Sequence, residues 1–411
     1  MRIAVLLSGG VDSSVALRLL QQEGHEVVAF YLKVWLEDEH AGLGDCPWQE
    51  DLEYARAVCE QAGVPLEVAS MQRQYHRRVV EWTIAELAAG RTPSPDVVCN
   101  RRIKLGAFLE RLERAGGGFD RVASGHYARL ERRGGRWRLL KGVDPVKDQS
   151  YFLHRLDQRQ LARCLFPLGG LTKRRVRQLA RRMELPTRDR PDSQGICFLG
   201  RIRYDDFVRS YLDERPGPIR DVDGGRLLGR HRGPWFYTIG QRKGLGLGGG
   251  PWYVVAKDLA TNVIWVVHGS RLAARRRDLF RIPEPHWIDR PPRGLERGVE
   301  LAVKVRHAPA AAACRVVAAG DGGVTVRLAE PDAGLAGGQP AVLYDGEVCL
   351  GGGPIATEAM PAGRAESQKS CTGTPESSDL CYDTARGCPT MGGEGVPERI
   401  GSTGGRQPAR D

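Results

Sequence analysis

Residues Arg2-Ile3-Ala4-Val5-Leu6-Leu7 form an almost unbroken apolar run and predict a buried strand. A Ser-Gly-Gly turn follows. From Asp12 to Glu23 apolar residues recur at helical spacing, with Val15, Leu19 and Leu20 on one side. Val27 to Leu32 reads as a second buried strand, and Gln49 to Ala62 as a helix stopped by Gly63 and Pro65. A short strand over 66–69 and a long helix over 72–89 come next. Gly90 to Asp96, with two prolines, reads as a loop, 102–115 as a helix, and 121–123 as a strand running into Gly125-His126. Strands alternating with helices predict an α/β fold with a parallel sheet. Tyr127 to Leu140 has the pattern of a hairpin around Arg133-Gly134-Gly135, and Leu171 to Met183 that of a basic helix. Beyond about residue 200 helical periodicity fades. The short, evenly spaced strands of 284–355 suit a small β-barrel. The boundaries expected are a catalytic α/β domain over 1–200, a small central domain over 201–280, a C-terminal β-barrel over 281–358, and a tail over 359–411. The tail is rich in Gly, Ser, Thr, Pro and Glu without apolar periodicity, which predicts disorder.

Composition narrows the class. The 411 residues suit two to four domains, and no apolar run is long enough to span a membrane. The first residues lack the layout of a secretory signal, so the expected location is cytoplasmic. The ten cysteines include no C-x-x-C pair, which removes the usual zinc and iron–sulfur signatures. In a reducing compartment any that matter should act as nucleophiles. The net charge of +11 suits a polyanionic partner, and equally a solvated basic surface.

Ser8-Gly9-Gly10-Val11-Asp12-Ser13-Ser14 joins the first strand to the first helix. Glycines let the backbone turn tightly, and a helix N-terminus attracts anions, so this is a phosphate cradle by construction. An ordinary capped turn is the plainer alternative. No Walker A sequence is present. Gly244-Leu245-Gly246-Leu247-Gly248-Gly249 matches a dinucleotide fingerprint but follows no evident strand and opens no helix, so it is discounted. The first loop resembles the signature of the PP-loop ATP pyrophosphatases. That resemblance implies ATP and Mg²⁺, with Leu6, Leu7, Ser8, Gly9, Gly10, Val11, Asp12 and Ser13 around the phosphates. Leu32 and Gly125 would frame the adenine. Asp12 would lie near the metal or pyrophosphate.

Two cysteines stand in suggestive settings. Cys99 follows Ser94-Pro95-Asp96-Val97-Val98 and was expected just before a helix, near Arg101, Arg102 and Lys104, where a thiolate is favoured. Asp96 could serve there as acid or base. Cys197 lies in Gln194-Gly195-Ile196-Cys197-Phe198-Leu199-Gly200. Taken singly, such a cysteine is more often a small buried hydrophobe.

Taken together, SGGVDSS (8–14), SPDVVCN (94–100), SGHYAR (124–129), KDQSYFL (147–153), DSQGICFLG (192–200) and YTIGQRKGLG (237–246) resemble the tRNA-specific 2-thiouridylase family in sequence and order. The resemblance runs from residue 3 to about 356. It implies ATP-dependent 2-thiolation of the wobble uridine of tRNA. The C2 oxygen is adenylated, and sulfur from a persulfide on Cys197 then replaces it. Cys99 would liberate that sulfur, leaving a Cys99–Cys197 disulfide, with Asp96 as general acid/base. Ser94, Pro95 and Asp96 would meet the target base. His126, Lys147, Asp148, Gln149, Arg306, His307 and Gln339 would touch the tRNA anticodon loop. A sulfur-relay persulfide donor protein is implied as partner. The cationic face of 172–182 suits phosphate contact and also plain solvation. Rival readings are a PP-loop ligase needing neither cysteine and a non-catalytic RNA-binding protein.

Overall fold

The computed structural model describes residues 1–34, 48–116, 118–192 and 203–356. The expectations for the tail and for Cys197 lie outside the described residues.

Ile3 and Val5 pack on one face of the first strand, Ala4 and Leu6 on the other, and all four are buried. A strand covered on both faces gives a continuous apolar run. This strand is the middle of a five-stranded parallel sheet, ordered Leu66–Ser70, Glu26–Lys33, Arg2–Leu6, Arg121–Ser124, Cys164–Leu165. Leu17 of helix Val11–Gln22 and Leu52 of helix Trp48–Ala62 cover the Ile3 face. Tyr75, Val79, Ile103 and Phe108 cover the other. The chain winds outward through two strands, then returns to the far side of the first. Such a switch point opens a crevice at the carboxyl ends of the adjoining strands. Leu7-Ser8 and Gly125-His126 leave from those ends.

The helix expected from 102 begins earlier. Pro95 occupies its first turn, where a missing N–H costs nothing and the fixed φ suits the helix. Reading the two prolines as a loop overlooked that use. The helix runs through Pro95–Cys99, a wide-turned stretch Asn100–Ala107, and Phe108–Arg114. Cys99 is therefore inside a helix, not ahead of one. Leu105, at φ −114°, departs from helical geometry. The Gln160 side-chain amide donates to the carbonyls of Arg101 (2.8 Å) and Leu105 (2.6 Å), satisfying groups that the wide turn releases.

A four-stranded sheet follows, ordered Trp252–Asp258, Val263–His268, Gly217–Asp221, Leu227–His231. Gly244 to Gly249 lie in turns before Trp252, away from any helix start, so the discounted fingerprint stays discounted. The last six long strands, Arg277–Ile282, Val324–Asp332, Ala312–Ala318, Val299–Lys304, Pro340–Asp345 and Val348–Pro354, pair antiparallel in that order. The Ala356 N–H donates to the Arg281 carbonyl at 2.8 Å, returning the last strand's end to the first. Phe280, Ile282, Val303, Val316, Val326 and Leu343 fill the interior, and the expected β-barrel is present. The hairpin Ala128–Arg133/Arg136–Lys141 extends this barrel sheet, with Leu139 and Leu140 opposite Cys349 and Val348. Its turn is local and legible, but its partner is far along the chain.

His154, only 1% exposed, donates from Nδ1 to the Tyr151 carbonyl at 2.7 Å. Burial pushes its pKa down to about 3; the Tyr151 carbonyl opposes this and the charge of Arg155 adds to it. The folded ring stays neutral while the unfolded ring takes a proton below about pH 6.5. The stability it contributes is present above that pH and is lost on acidification toward 3, at about 1.4 kcal/mol per pH unit. His154→Asn should flatten the fall of melting temperature between pH 6.5 and 4. An unchanged profile contradicts this account.

Candidate active site

Gly9 adopts φ +73°, and a Cβ there would sit 2.2 Å from the Asp51 carbonyl oxygen. Both facts demand glycine. The Gly9 carbonyl accepts from Arg190 Nη1 at 2.7 Å, and Arg190 also pairs with Asp51 at 2.9 Å. The turn is thus held from helix Trp48–Ala62. Gly10 caps helix Val11–Gln22 without a side-chain bond, which leaves the first-turn N–H groups to a ligand. The hydroxyls of Ser13 and Ser14 donate to the Gly10 carbonyl at 3.1 and 2.9 Å. They therefore shape the loop together with Ser8, which is exposed and whose hydroxyl lies 3.2 Å from that of Ser13. Gly125 closes the opposite wall: a Cβ there would lie 2.8 Å from the Ser13 nitrogen. Leu6 and Leu7 are buried, so only their backbone can line the crevice, and half-buried Leu32 ends the second strand. These features fit an anionic ligand with several phosphates.

Asp12 is more engaged than its sequence suggests. Its carboxylate accepts from Lys173 Nζ at 2.7 and 2.8 Å and from the Tyr127 hydroxyl at 2.7 Å. Lys173 also reaches Asp192 at 2.8 Å, and Asp192 pairs with Lys147 at 2.7 Å and with Arg177. Partial burial pushes the Asp192 carboxyl up, but hydrogen bonds from Lys147 and Lys173, with the Lys173 charge, hold it well below the usual carboxylate range. Lys147, expected on tRNA, thus belongs to the network beside the loop. The basic helix divides: Lys173 and Arg177 turn inward to these carboxylates, while Arg174, Arg175, Arg181 and Arg182 are exposed. Lys173, Tyr127, Asp192 and Arg190 were not singled out in the sequence. Their one signal is proximity to a glycine turn that only tertiary contact creates.

Asp96 and Cys99 lie three residues apart on helix Pro95–Cys99, hence on neighbouring positions of one face. Asp96 is half-buried and Cys99 is 1% exposed. The His126 Nδ1 pairs with the Ser124 hydroxyl at 2.7 Å, and its ring meets Phe166 edge-on. Desolvation, then the charge of Lys104, pushes its pKa down to about 3, so the ring is neutral. Ser94 and buried Pro95 adjoin the barrel: the Thr92 N–H donates to the Gly337 carbonyl at 2.8 Å, two residues from Gln339.

Asp148 departs from expectation. It is 2% exposed, and its carboxylate accepts from Lys304 Nζ at 2.8 Å and from the Gly142 and Ser150 N–H groups. Its side chain ties the α/β half to the barrel and leaves no face for RNA. Gln149 accepts the Tyr127 N–H at 3.0 Å. His307 donates to the Asp148 carbonyl at 3.2 Å and packs 4.7 Å from the Phe152 ring, whose carbonyl accepts from Asn100 beside Cys99. Arg306 is exposed and forms a two-pronged pair with Asp332. The other described cysteines are chemically quiet. Burial pushes the thiol of Cys59 up to about 11, those of Cys314 and Cys349 to about 12, and Cys164 higher still.

Three family models match in succession: a tRNA methyl transferase HUP domain over residues 1–201, a tRNA methyl transferase PRC-barrel domain over 205–268, and an aminomethyltransferase beta-barrel domain over 277–355. The chain is 43% identical over 358 residues to tRNA-specific 2-thiouridylase MnmA 1 of Bacteroides thetaiotaomicron, covering 86% of this chain and 99% of that protein. It is 45% identical over 370 residues to tRNA-specific 2-thiouridylase MnmA of Verminephrobacter eiseniae, covering 86% and 98%. With the same-named protein of Pectobacterium carotovorum it shares 43% over 360 residues, 86% of this chain and 96% of that protein.

Proposed function

We propose an activity for this chain from a premise that these matches establish: it belongs to the tRNA-specific 2-thiouridylase family. The chain replaces the C2 oxygen of a tRNA wobble uridine with sulfur, using ATP. One pairing of observations carries the reading: an uncapped, glycine-built anion loop walled by Gly125, and an acid and a cysteine, Asp96 and Cys99, on one helix face of the same domain. The family-model descriptions speak of methyl transfer, but such chemistry needs neither this loop nor a cysteine beside an acid.

ATP supplies the AMP group that makes the uracil C2 oxygen a leaving group, with release of pyrophosphate. The chain's residues do the rest. The first-turn N–H groups and Ser8 hold the phosphates, whose charge Mg²⁺, when bound, would help neutralise. Lys173, which already neutralises Asp12, keeps that carboxylate from repelling the nucleotide. Asp96 holds or takes a proton at the base. Cys197 carries the persulfide, delivered by a sulfur-relay donor in the cytoplasm. The Cys99 sulfur attacks the Cys197 sulfur, forming the disulfide and expelling hydrosulfide. Hydrosulfide adds at C2, and AMP departs with the former C2 oxygen. A thiol reductant then restores both cysteines.

The test mixes unmodified tRNA, ATP, Mg²⁺ and a persulfide donor with the protein and weighs the nucleosides. We expect 2-thiouridine at the wobble position and equimolar pyrophosphate. Pyrophosphate without thiolated nucleoside, whatever the donor, rejects the substrate and leaves the ATP chemistry standing.

A further inference from the structure

A second polar cleft, of about 330 Å³, lies beyond the catalytic face of the same helix. Arg78, Arg101 and Arg102 line it, on two helices. Arg78 and Arg102 interlock, each guanidinium donating to the other's backbone carbonyl, at 3.3 and 3.2 Å. This geometry fixes two cations side by side, against their repulsion. Arg159 and Arg163 line the cleft as well. Among the described residues no carboxylate pairs within 4 Å with Arg101 or Arg102. The acids on the cleft are engaged: Glu113 takes Arg159 at 2.6 Å, Glu110 takes Arg114 at 3.1 Å and stands 3.9 Å from Arg78, and Asp157 accepts the Gln160 N–H at 2.8 Å, which leaves Arg101 and Arg102 facing the cleft without a carboxylate. A fixed cluster of guanidinium groups facing a cleft calls for an oxyanion that offers two oxygens to each fork, as a phosphate does.

We propose that this cleft binds backbone phosphates of the RNA substrate at a subsite separate from the nucleotide loop. The inference rests on the tRNA reading above. Among the described residues no aromatic side chain lines the cleft, so they offer a base nothing to stack on and suit the sugar-phosphate chain. Arg102 stands six residues beyond Asp96, roughly 9 Å along the helix axis. An RNA strand whose base meets Asp96 therefore carries a neighbouring phosphate to the cleft. The wide turn at Asn100–Ala107, held by Gln160, sets Arg101 and Arg102 at that place.

The experiment measures unmodified tRNA binding across a salt series for wild type, Arg78→Ala/Arg159→Ala and Arg78→Lys/Arg159→Lys. Neither residue lies on the helix that carries Cys99. Losing two phosphate contacts should reduce the slope of log affinity against log salt by about 1.4 to 1.8. The lysine pair, which keeps the charge, should retain most of that slope and report that the fold is intact. ATP binding without RNA should be equal in all three. A double alanine variant with the wild-type slope and affinity overturns the subsite while tRNA thiolation by wild type still stands. A wild type that binds no tRNA overturns both.

Discussion

Cys99→Ser should release pyrophosphate from ATP in the presence of tRNA and yield essentially no 2-thiouridine, a loss on the order of 10³-fold or more in sulfur transfer. The reason is local. Cys99 is enclosed in the core beside Met71, Tyr75 and Ile103, so serine keeps its size and place. Oxygen in that position attacks a persulfide far more slowly than sulfur does and gives no stable disulfide. In the proposed mechanism, activation of the base depends on the loop and Asp96, which the substitution leaves alone. The two halves of the reaction should therefore separate. A persulfide-labelled protein should accumulate, because Cys197 can be loaded but not discharged. Cys59→Ser, Cys314→Ser and Cys349→Ser serve as comparisons, since those thiols are buried with raised pKa values and should thiolate normally. Full thiolation by Cys99→Ser, with no accumulated persulfide, sinks the assignment.

The alternation of buried strands and helices made the parallel sheet legible, because a strand covered on both faces needs an uninterrupted apolar run. The glycine turn was legible for a similar reason: Gly9 and Gly10 are chemical necessities of the path. What stayed hidden were partners distant in sequence. Nothing near Asp12 announces Lys173, and nothing near the hairpin at 133–135 announces the strand Val348–Pro354. Pro95 misled because proline ends a helix in most positions but is tolerated in its first turn. Asp148 misled in another way. The resemblance set it against tRNA, and only the fold shows that Lys304, far along the chain, reaches its carboxylate.

That buried pair carries the largest stability effect expected in the described structure. Lys304 and Asp148 have side chains 1% and 2% exposed, and their ammonium and carboxylate lie 2.8 Å apart. Lys304 sits on barrel strand Val299–Lys304, and Asp148 follows the hairpin that extends the barrel sheet. Lys304→Met leaves a carboxylate without its counter-ion in a site where desolvation is severe, at a cost of about 3–5 kcal/mol. Asp148→Asn strands the ammonium in the same way, though its amide oxygen can still accept the Gly142 and Ser150 N–H groups. Lys304→Met with Asp148→Asn removes both charges and should recover much of the loss. Thermal unfolding at neutral pH should thus rank wild type above the double variant and the double above either single. Additive losses in the double variant would mean that the two charges do not act as a pair. The same ranking should appear in tRNA thiolation at elevated temperature, because Asp148 anchors Gln149 and the carbonyl that His307 binds. At low temperature, where the fold survives, the single variants should still turn over ATP, which separates an anchoring carboxylate from one that touches RNA.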